Sequence, residues 1–373
     1  MIIAGEVSGD ERAAALVSAL RQEAPGLTFF GIGGPRMRAA GVDTLQDIAD
    51  MAVMGVTEVL RRYGFFRRVF NRMLHEAKLR RPAAVILVDY PGFNLRFARK
   101  AHAMGIKIIY YVCPQVWAWH QSRIPHMANI IDRLITIFPF EARYFKGTNL
   151  RVDFAGHPLV DETARDWDSP AVHLPWAGGP NVALLPGSRE HEIRRLLPDL
   201  LATAREIERV LPTASFLIPT PDEATRTQVE TLRATLPAGP THCTVIAGQT
   251  RQVLRQARAA IVASGTATLE ASLMLCPMVI VYRVSPLTYF MAKHLVRIPH
   301  IGIVNIVAGN EICPEFIQDA VKPKPLAAAV LRLLTDDPHR ESVRTGLQRV
   351  NHALGAGGAA ARAAASVIEE LRR

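Results

Sequence analysis

The 373-residue sequence predicts an α/β protein made of two doubly wound halves. Three observations carry that prediction. Short apolar runs alternate with helix-period segments along the whole chain. These runs are apolar on both faces, as parallel strands covered by helices on either side must be. The length suits about two domains of roughly 100 to 200 residues each. Prolines and glycines gather near the middle, in "DSPAVHLPWAGGP" at 168–180, where helical periodicity lapses. The expected domains are therefore 1–170 and 171–345, with the strongly helix-forming "AGGAAARAAASVIEELRR" at the end.

In chain order, the first half offers strands at Ile2–Ala4, Phe29–Ile32, Ala84–Val88, Lys107–Val112 and Leu134–Phe138. Helical patterns such as Glu11 to Gln22 and Phe93 to Ala103 separate them. The second half offers Val182–Leu185, Ser215–Pro219, Cys243–Ile246, Ala260–Ala263 and Met278–Tyr282. Two such sheets facing a central cleft would turn their strand carboxyl ends towards it, and ligands in open α/β sheets bind there.

Composition narrows the function. At 49% hydrophobic and 21% charged, the chain can fill two cores and nothing in it looks disordered. The formal charge of +10 admits nucleic acid, a membrane surface or an anionic substrate. Nucleic acid is disfavoured, because the basic residues lie among apolar periodic segments rather than in a polar arm. Cys113, Cys243, Cys276 and Cys313 form no CxxC pair, so neither a zinc site nor a disulfide framework is expected. No metal site is expected: Asp166-Trp167-Asp168 follows no strand, and "HEIRR" at His191 lacks a second histidine. The start carries no signal-peptide pattern, and no apolar run reaches the ~18 residues of a membrane span.

The strand ends hold the candidate chemistry. "AGEVSGD", residues 4–10, passes from strand to helix, with Ser8 or Asp10 available as a cap. "GIGGPRM", residues 31–37, lacks the spacing of a dinucleotide fingerprint. In "VILVDYPGFN", Asp89 ends an apolar strand, where it reads either as a proton acceptor for a substrate hydroxyl or as a turn aspartate. "YYVCPQVWAWHQSR" sets Trp117, Trp119, His120 and Arg123 after the next strand, suiting either a sugar or lipid edge or a core corner.

In the second half, "NVALLPGSREHEIRRLLPDLL", residues 181–201, runs from buried strand to helix through Pro186-Gly187-Ser188-Arg189. Gly187 and Ser188 let helix-start N–H groups approach a phosphate, and the helix dipole favours its charge. An arginine in the first turn opposes that dipole, so Arg189 points to an anionic partner matched by its guanidinium fork. "IVASGTATLEAS", residues 261–272, repeats the pattern with Ser264, Gly265 and Thr266. Glu270, about a turn on, reads as a ribose ligand or as part of a capping box. Asn305 reads as a cleft residue or as a turn.

Between Arg61 and Arg81 lie eight lysines and arginines against one acid, Glu76, interleaved with Tyr63, Phe65, Phe66, Val69, Phe70, Met73 and Leu74. Basic residues flanking large apolar ones, over Val56 to Arg81 and again over Tyr282 to Arg297, describe either a surface for anionic lipid or a covering helix with a solvated basic face.

Taken together, "AGEVSGD", "GIGGPRM", "MAVMGVTEVL", "VDYPGFN", "VWAWHQSR", "LLPGSR", "ASGTATLE", "CPMVIVYR" and "NIVAGNE" span residues 4–311 in order. The set resembles the lipid-A-disaccharide synthases, glycosyltransferases of the two-domain GT-B fold. The resemblance implies transfer of 2,3-diacylglucosamine from UDP-2,3-diacylglucosamine to 2,3-diacylglucosamine 1-phosphate, giving the β-1',6-linked disaccharide and UDP. It implies inversion without an obligatory metal or added cofactor, by a cytoplasmic protein peripheral to the inner membrane.

In that family the aspartate matching Asp89 is the candidate base, and the matches to Arg189, Glu270 and Asn305 serve UDP. Ser8, Trp117, Phe65, Phe66 and Phe70 would lie on the acceptor side, and residues 346–373 would return to the first domain. The sequence departs from the family in two places: few residues precede AGE, and position 92, often aspartate in members, is Gly92. Two other readings remain: a UDP-N-acetylglucosamine 2-epimerase-like enzyme, and a non-catalytic lipid-binding module.

Overall fold

A computed structural model of the chain describes residues 1–51, 62–286, 288–290 and 298–373. The chain divides into two compact units, one of Met1–Pro158 with Gly355–Arg373, the other of Leu159–Leu354. The expected break near residue 170 falls earlier, at Pro158. The reason is the helix Leu159–Asp168, which is bolted into the second unit. Its Glu162 and Asp166 receive Arg251 at 2.7 and 3.1 Å, and its Trp167 Nε1 donates to the Leu273 carbonyl at 3.1 Å. Likewise the helix Asp337–Ala353 stays with the second unit, so the returning segment starts at Gly355 rather than 346.

In the first unit the described strands are β1 (Ile2–Ala4), β2 (Phe30–Gly33), β3 (Asp43–Asp47), β4 (Ala84–Val88), β5 (Lys107–Tyr111), β6 (Arg133–Thr136) and β7 (Arg151–Phe154). They form one parallel sheet in the order β3-β2-β1-β4-β5-β6-β7, with Ile3 opposite Leu87 and Leu87 opposite Tyr110. The second unit contains β8 (Asn181–Leu185), β9 (Ser215–Thr220), β10 (Cys243–Ala247), β11 (Ala259–Ala263), β12 (Met278–Tyr282) and β13 (Glu315–Ile317). These are again all parallel, in the order β10-β9-β8-β11-β12-β13. The expected pair of doubly wound α/β sheets is what the chain forms.

The apolar runs become central strands because helices cover both faces. Successive residues of one strand enter opposite cores: Ile3, Val85, Leu87 and Tyr110 pack on one face, Ile2, Ile86, Val88 and Ile109 on the other. Three strands went unread in the sequence: β3 (DTLQD), β7 (RVDF) and β13 (EFI). All three lie at sheet edges, where one side meets solvent and no apolar run is required.

The last helix, Ala359–Leu371, packs on the first helix, Val7–Glu23, through Ala363, Ala364 and Val367. Buried Arg133 of β6 secures it by pairing with Asp153, with Glu369 at 2.7 Å and with buried Glu370 at 3.6 Å. Removing the cation would leave buried Glu370 to the exposed Arg151, at 3.1 Å, and take from Asp153 and Glu369 their buried partner. Arg133→Met is therefore expected to lose about 3–5 kcal/mol of stability in chemical denaturation; a loss below about 1 kcal/mol would show the pairs to be incidental.

Candidate active site

In both sheets the strand order reverses next to the first strand of the unit, between β1 and β4 and between β8 and β11. Crevices at such reversals are where open α/β sheets take ligands. Four groups of candidate residues fall at these strand ends. Glu6 to Asp10 follow β1, and Asp89 follows β4. Gly187 to Arg189 follow β8, and Ser264 to Thr266 follow β11.

Asp89 and Tyr90 are consecutive non-glycine residues in the left-handed region, at φ 47° and 50°. Such residues cost about 1–2 kcal/mol each and persist only where surroundings fix them. Here the Asp89 carbonyl accepts the Tyr110 hydroxyl at 2.6 Å and the fully buried Asn94 Nδ2 at 2.7 Å, and the Asp89 N–H donates to the Tyr111 carbonyl at 3.0 Å. The helix Pro91–His102 then starts on proline, whose fixed φ suits a first turn. This turn leaves the Asp89 side chain about one-third exposed, 3.9 Å from Arg12 Nη1. Burial pushes its carboxyl above the ordinary aspartate range, against the pull of Arg12.

Around it stand groups that the sequence did not reveal. Buried Glu141 accepts Trp117 Nε1 at 3.1 Å and the N–H groups of Ile137 and Phe138 at 3.3 and 3.1 Å. Burial raises its carboxyl to about 8. His157, buried against Phe138 with ring centroids 5.1 Å apart, is lowered to about 3 by burial and then by Arg12. A lone acid just after an apolar strand was the available signal for Glu141; His157 had none.

Asp10 does not cap its own helix. Its buried carboxylate takes the N–H groups of Gly34, Arg36 and Met37 at 2.7, 3.0 and 3.1 Å, stitching the first glycine turn to the second. Ser8 sits half-buried in the first turn of Val7–Glu23.

In the second unit Gly187 has φ 112°, which side-chain-bearing residues rarely adopt. The turn exposes Ser188 and Arg189 at the head of the helix Glu190–Val210. Their N–H groups donate to Glu192 Oε2 at 3.2 and 3.3 Å, and Arg189 Nη1 lies 3.3 Å from Glu192 Oε1. An internal carboxylate thus occupies the donors expected to hold a phosphate. An acid three residues into the helix is a capping-box signature, and Glu192 is the sequence signal for this contact.

Gly265 and Thr266 are exposed at the start of the helix Thr266–Leu273, while Ser264 Oγ donates to the Ile301 carbonyl at 3.0 Å. Glu270 Oε1 accepts Arg251 Nε at 2.9 Å, so it forms part of an ion cluster with Glu162 and Asp166 rather than of a cap.

Several expectations are corrected. Asn305 is fully buried, and its amide is saturated: Nδ2 reaches the Cys313 carbonyl and Glu315 at 2.7 and 2.8 Å, and Oδ1 accepts the Ile312 and Cys313 N–H groups at 2.9 and 3.0 Å. It pins a loop and offers nothing to a ligand. Trp117 is buried, edge-on to Phe140 and bonded to Glu141, so it is a core corner; exposed Trp119 is the outward ring. On the helix Tyr63–Arg80, Phe65, Phe66 and Phe70 pack against the core, Phe70 edge-on to Phe93 at 5.3 Å, leaving the basic residues outside. That is the covering-helix alternative. Val56 to Arg61 of this stretch, and Leu287 and 291–297 of the second patch, lie outside the described residues.

Among known proteins, the family model of lipid-A-disaccharide synthetase matches residues 1–368. The chain belongs to this family. A lipid-A-disaccharide synthase from Geobacter sulfurreducens is 41% identical over 374 residues, covering all of this chain and 97% of the relative. Solved structures extend the likeness to the fold. A putative UDP-N-acetylglucosamine 2-epimerase from Listeria monocytogenes matches at TM-score 0.67 and 16% identity, over all of this chain and 96% of its own. The S. aureus MnaA–UDP co-structure matches at 0.63 and 11%, over 100% and 94%. The epimerase likeness is one of architecture; the synthetase likeness runs through the sequence from end to end.

The His157 environment has a measurable consequence. Its folded pKa lies below the unfolded value near 6.5, so the stability it lends to the neutral form is complete above pH 6.5 and drains as pH falls towards 3. Urea midpoints between pH 6.5 and 3.5 should fall more steeply in the wild type than in His157→Gln, by about one proton's worth of slope. Parallel curves would place the histidine's proton uptake elsewhere.

Proposed function

We infer that this chain is a lipid-A-disaccharide synthase. It moves 2,3-diacylglucosamine from UDP-2,3-diacylglucosamine to 2,3-diacylglucosamine 1-phosphate, releasing UDP and the β-1',6-linked disaccharide 1-phosphate. The observation that carries the reading is the end-to-end family match, over residues 1–368. The UDP co-structure of a neighbour with the same fold supports a UDP-sugar donor.

In the proposed reaction the acceptor's 6-hydroxyl oxygen attacks the anomeric carbon while Asp89 takes the hydroxyl proton. The bond from that carbon to the diphosphate oxygen breaks on the opposite face, its electron pair leaving with UDP, so the anomeric configuration inverts. Negative charge grows on the departing diphosphate. Arg189, the N–H groups of Ser188 and Arg189, and the turn Ser264-Gly265-Thr266 would receive it. A phosphate at the first of these turns takes over the donors that Glu192 holds. Glu270 would face the ribose through the oxygen that Arg251 leaves open. The reaction as written draws on no added cofactor, the UDP-sugar being a substrate.

The proposed workplace is the cytoplasmic face of the inner membrane. Among the described residues no helix is long and apolar enough to cross a bilayer. Exposed Tyr289 and Phe290, in the second basic-aromatic patch, support a surface contact with lipid.

The test is UDP release from UDP-2,3-diacylglucosamine in detergent micelles, with and without acceptor. Acceptor-dependent release with a disaccharide in the mass spectrum is expected; release without acceptor would favour a hydrolysing, epimerase-like enzyme. Arg189→Met should lower kcat by roughly 10²–10³-fold with the fold intact, and unchanged turnover would remove Arg189 from the mechanism.

A further inference from the structure

Asp89 has no second carboxylate in its own loop, where Gly92 stands. Its setting therefore depends on what neighbouring elements bring to it. The carbonyl clamp from Tyr110 and Asn94 fixes the backbone and so the direction in which the side chain leaves it. From the first helix comes Arg12, whose Nη1 lies 3.9 Å from Asp89 Oδ2, with the guanidinium side chain only 19% exposed. From the end of β5 come the Tyr110 phenol and the Cys113 thiol, both neutral, as burial drives each well above its ordinary range. The turn after β6 brings Glu141, and the loop after β7 brings His157. Tyr90, with Glu6 acting on it, stands next in the chain. Every one of these but Arg12 is neutral or negative at neutral pH. Among the described residues, Arg12 is the cation within ion-pair reach of Asp89.

We propose that Arg12 is a positioning residue for the transfer, holding the Asp89 carboxylate ionised and aimed so that it can accept the acceptor's proton. The proposal rests on the reading of Asp89 as the base. Burial alone favours a protonated, idle carboxyl; a guanidinium at this distance in a poorly hydrated place favours the carboxylate. At 3.9 Å the pair is close enough for Coulomb attraction yet too long for a hydrogen bond, so the carboxylate's lone pairs stay available to a substrate hydroxyl. Arg12 thereby supplies from another element the control that a second loop carboxylate could not. The helix Val7–Glu23 is anchored independently of this pair by Asp10 and by the last helix, so the role can be separated from folding.

The experiment is the pH profile of kcat/KM for acceptor-dependent UDP release, in the wild type, Arg12→Met, Arg12→Lys and Asp89→Asn. Removing a cation at this range should raise the acidic limb of Arg12→Met by about 1–3 pH units. Activity is then lost most at pH 6 and recovers towards pH 9, while Arg12→Lys keeps its limb near the wild type's. An Arg12→Met profile lowered by one factor at every pH, or one matching the wild type, overturns the proposal while Asp89→Asn remains inactive. An Asp89→Asn enzyme that keeps the acidic limb overturns the base assignment and the role of Arg12 together.

Discussion

The carbonyl oxygen of Asp89 is the point on which the turn at the end of β4 depends. A fully buried parallel strand has to turn sharply at its end to release a polar residue from the sheet. β4 does so through two left-handed residues that no glycine relieves. Hydrogen bonds from Tyr110 and Asn94 to that one oxygen hold the turn, and both donors are rooted in the core. Strain is thus offset by buried polar contacts, and the direction in which the Asp89 side chain leaves the turn is fixed by the fold. The second unit uses a different device for the same end. There Gly187 supplies the positive φ and Glu192 gathers the turn's N–H groups, so the donors converge on one point.

The central strands and the strand-end turns were legible because they obey strong local rules: full burial demands apolar runs, and tight exits demand glycine, serine or aspartate. β3, β7 and β13 were illegible for the converse reason, since an edge strand needs neither an apolar run nor alternation. The domain boundary misled in another way. Proline and glycine mark irregular chain, whereas the unit boundary is set by where ion pairs fasten the helix Leu159–Asp168.

Side-chain direction was the least legible property of the site. Basic and aromatic residues at helical spacing read alike whether the rings meet lipid or core, and Phe65, Phe66 and Phe70 meet core. Asn305 shows the same limit for amides: an amide among apolar residues must find partners, yet only the fold reveals that backbone groups and Glu315 satisfy it completely. Glu141, Glu192 and Arg12 act through contacts made by folding. Glu141 and Glu192 carry only a positional signal, an acid after an apolar strand and an acid three residues into a helix, and Arg12 carries none.

The architecture alone would leave transferase and epimerase undivided, since a putative epimerase shares it at TM-score 0.67. What separates them here is the end-to-end sequence match, and the proposed nucleotide site rests on the two turns that flank the strand reversal of the second unit. Backbone amide exchange with and without saturating UDP examines that arrangement directly. The account predicts new protection at residues 187–190 and 265–268, at the ends of β8 and β11, with the edge strands unchanged. Protection that appears elsewhere, or fails to appear at those two turns while UDP is bound, would contradict it.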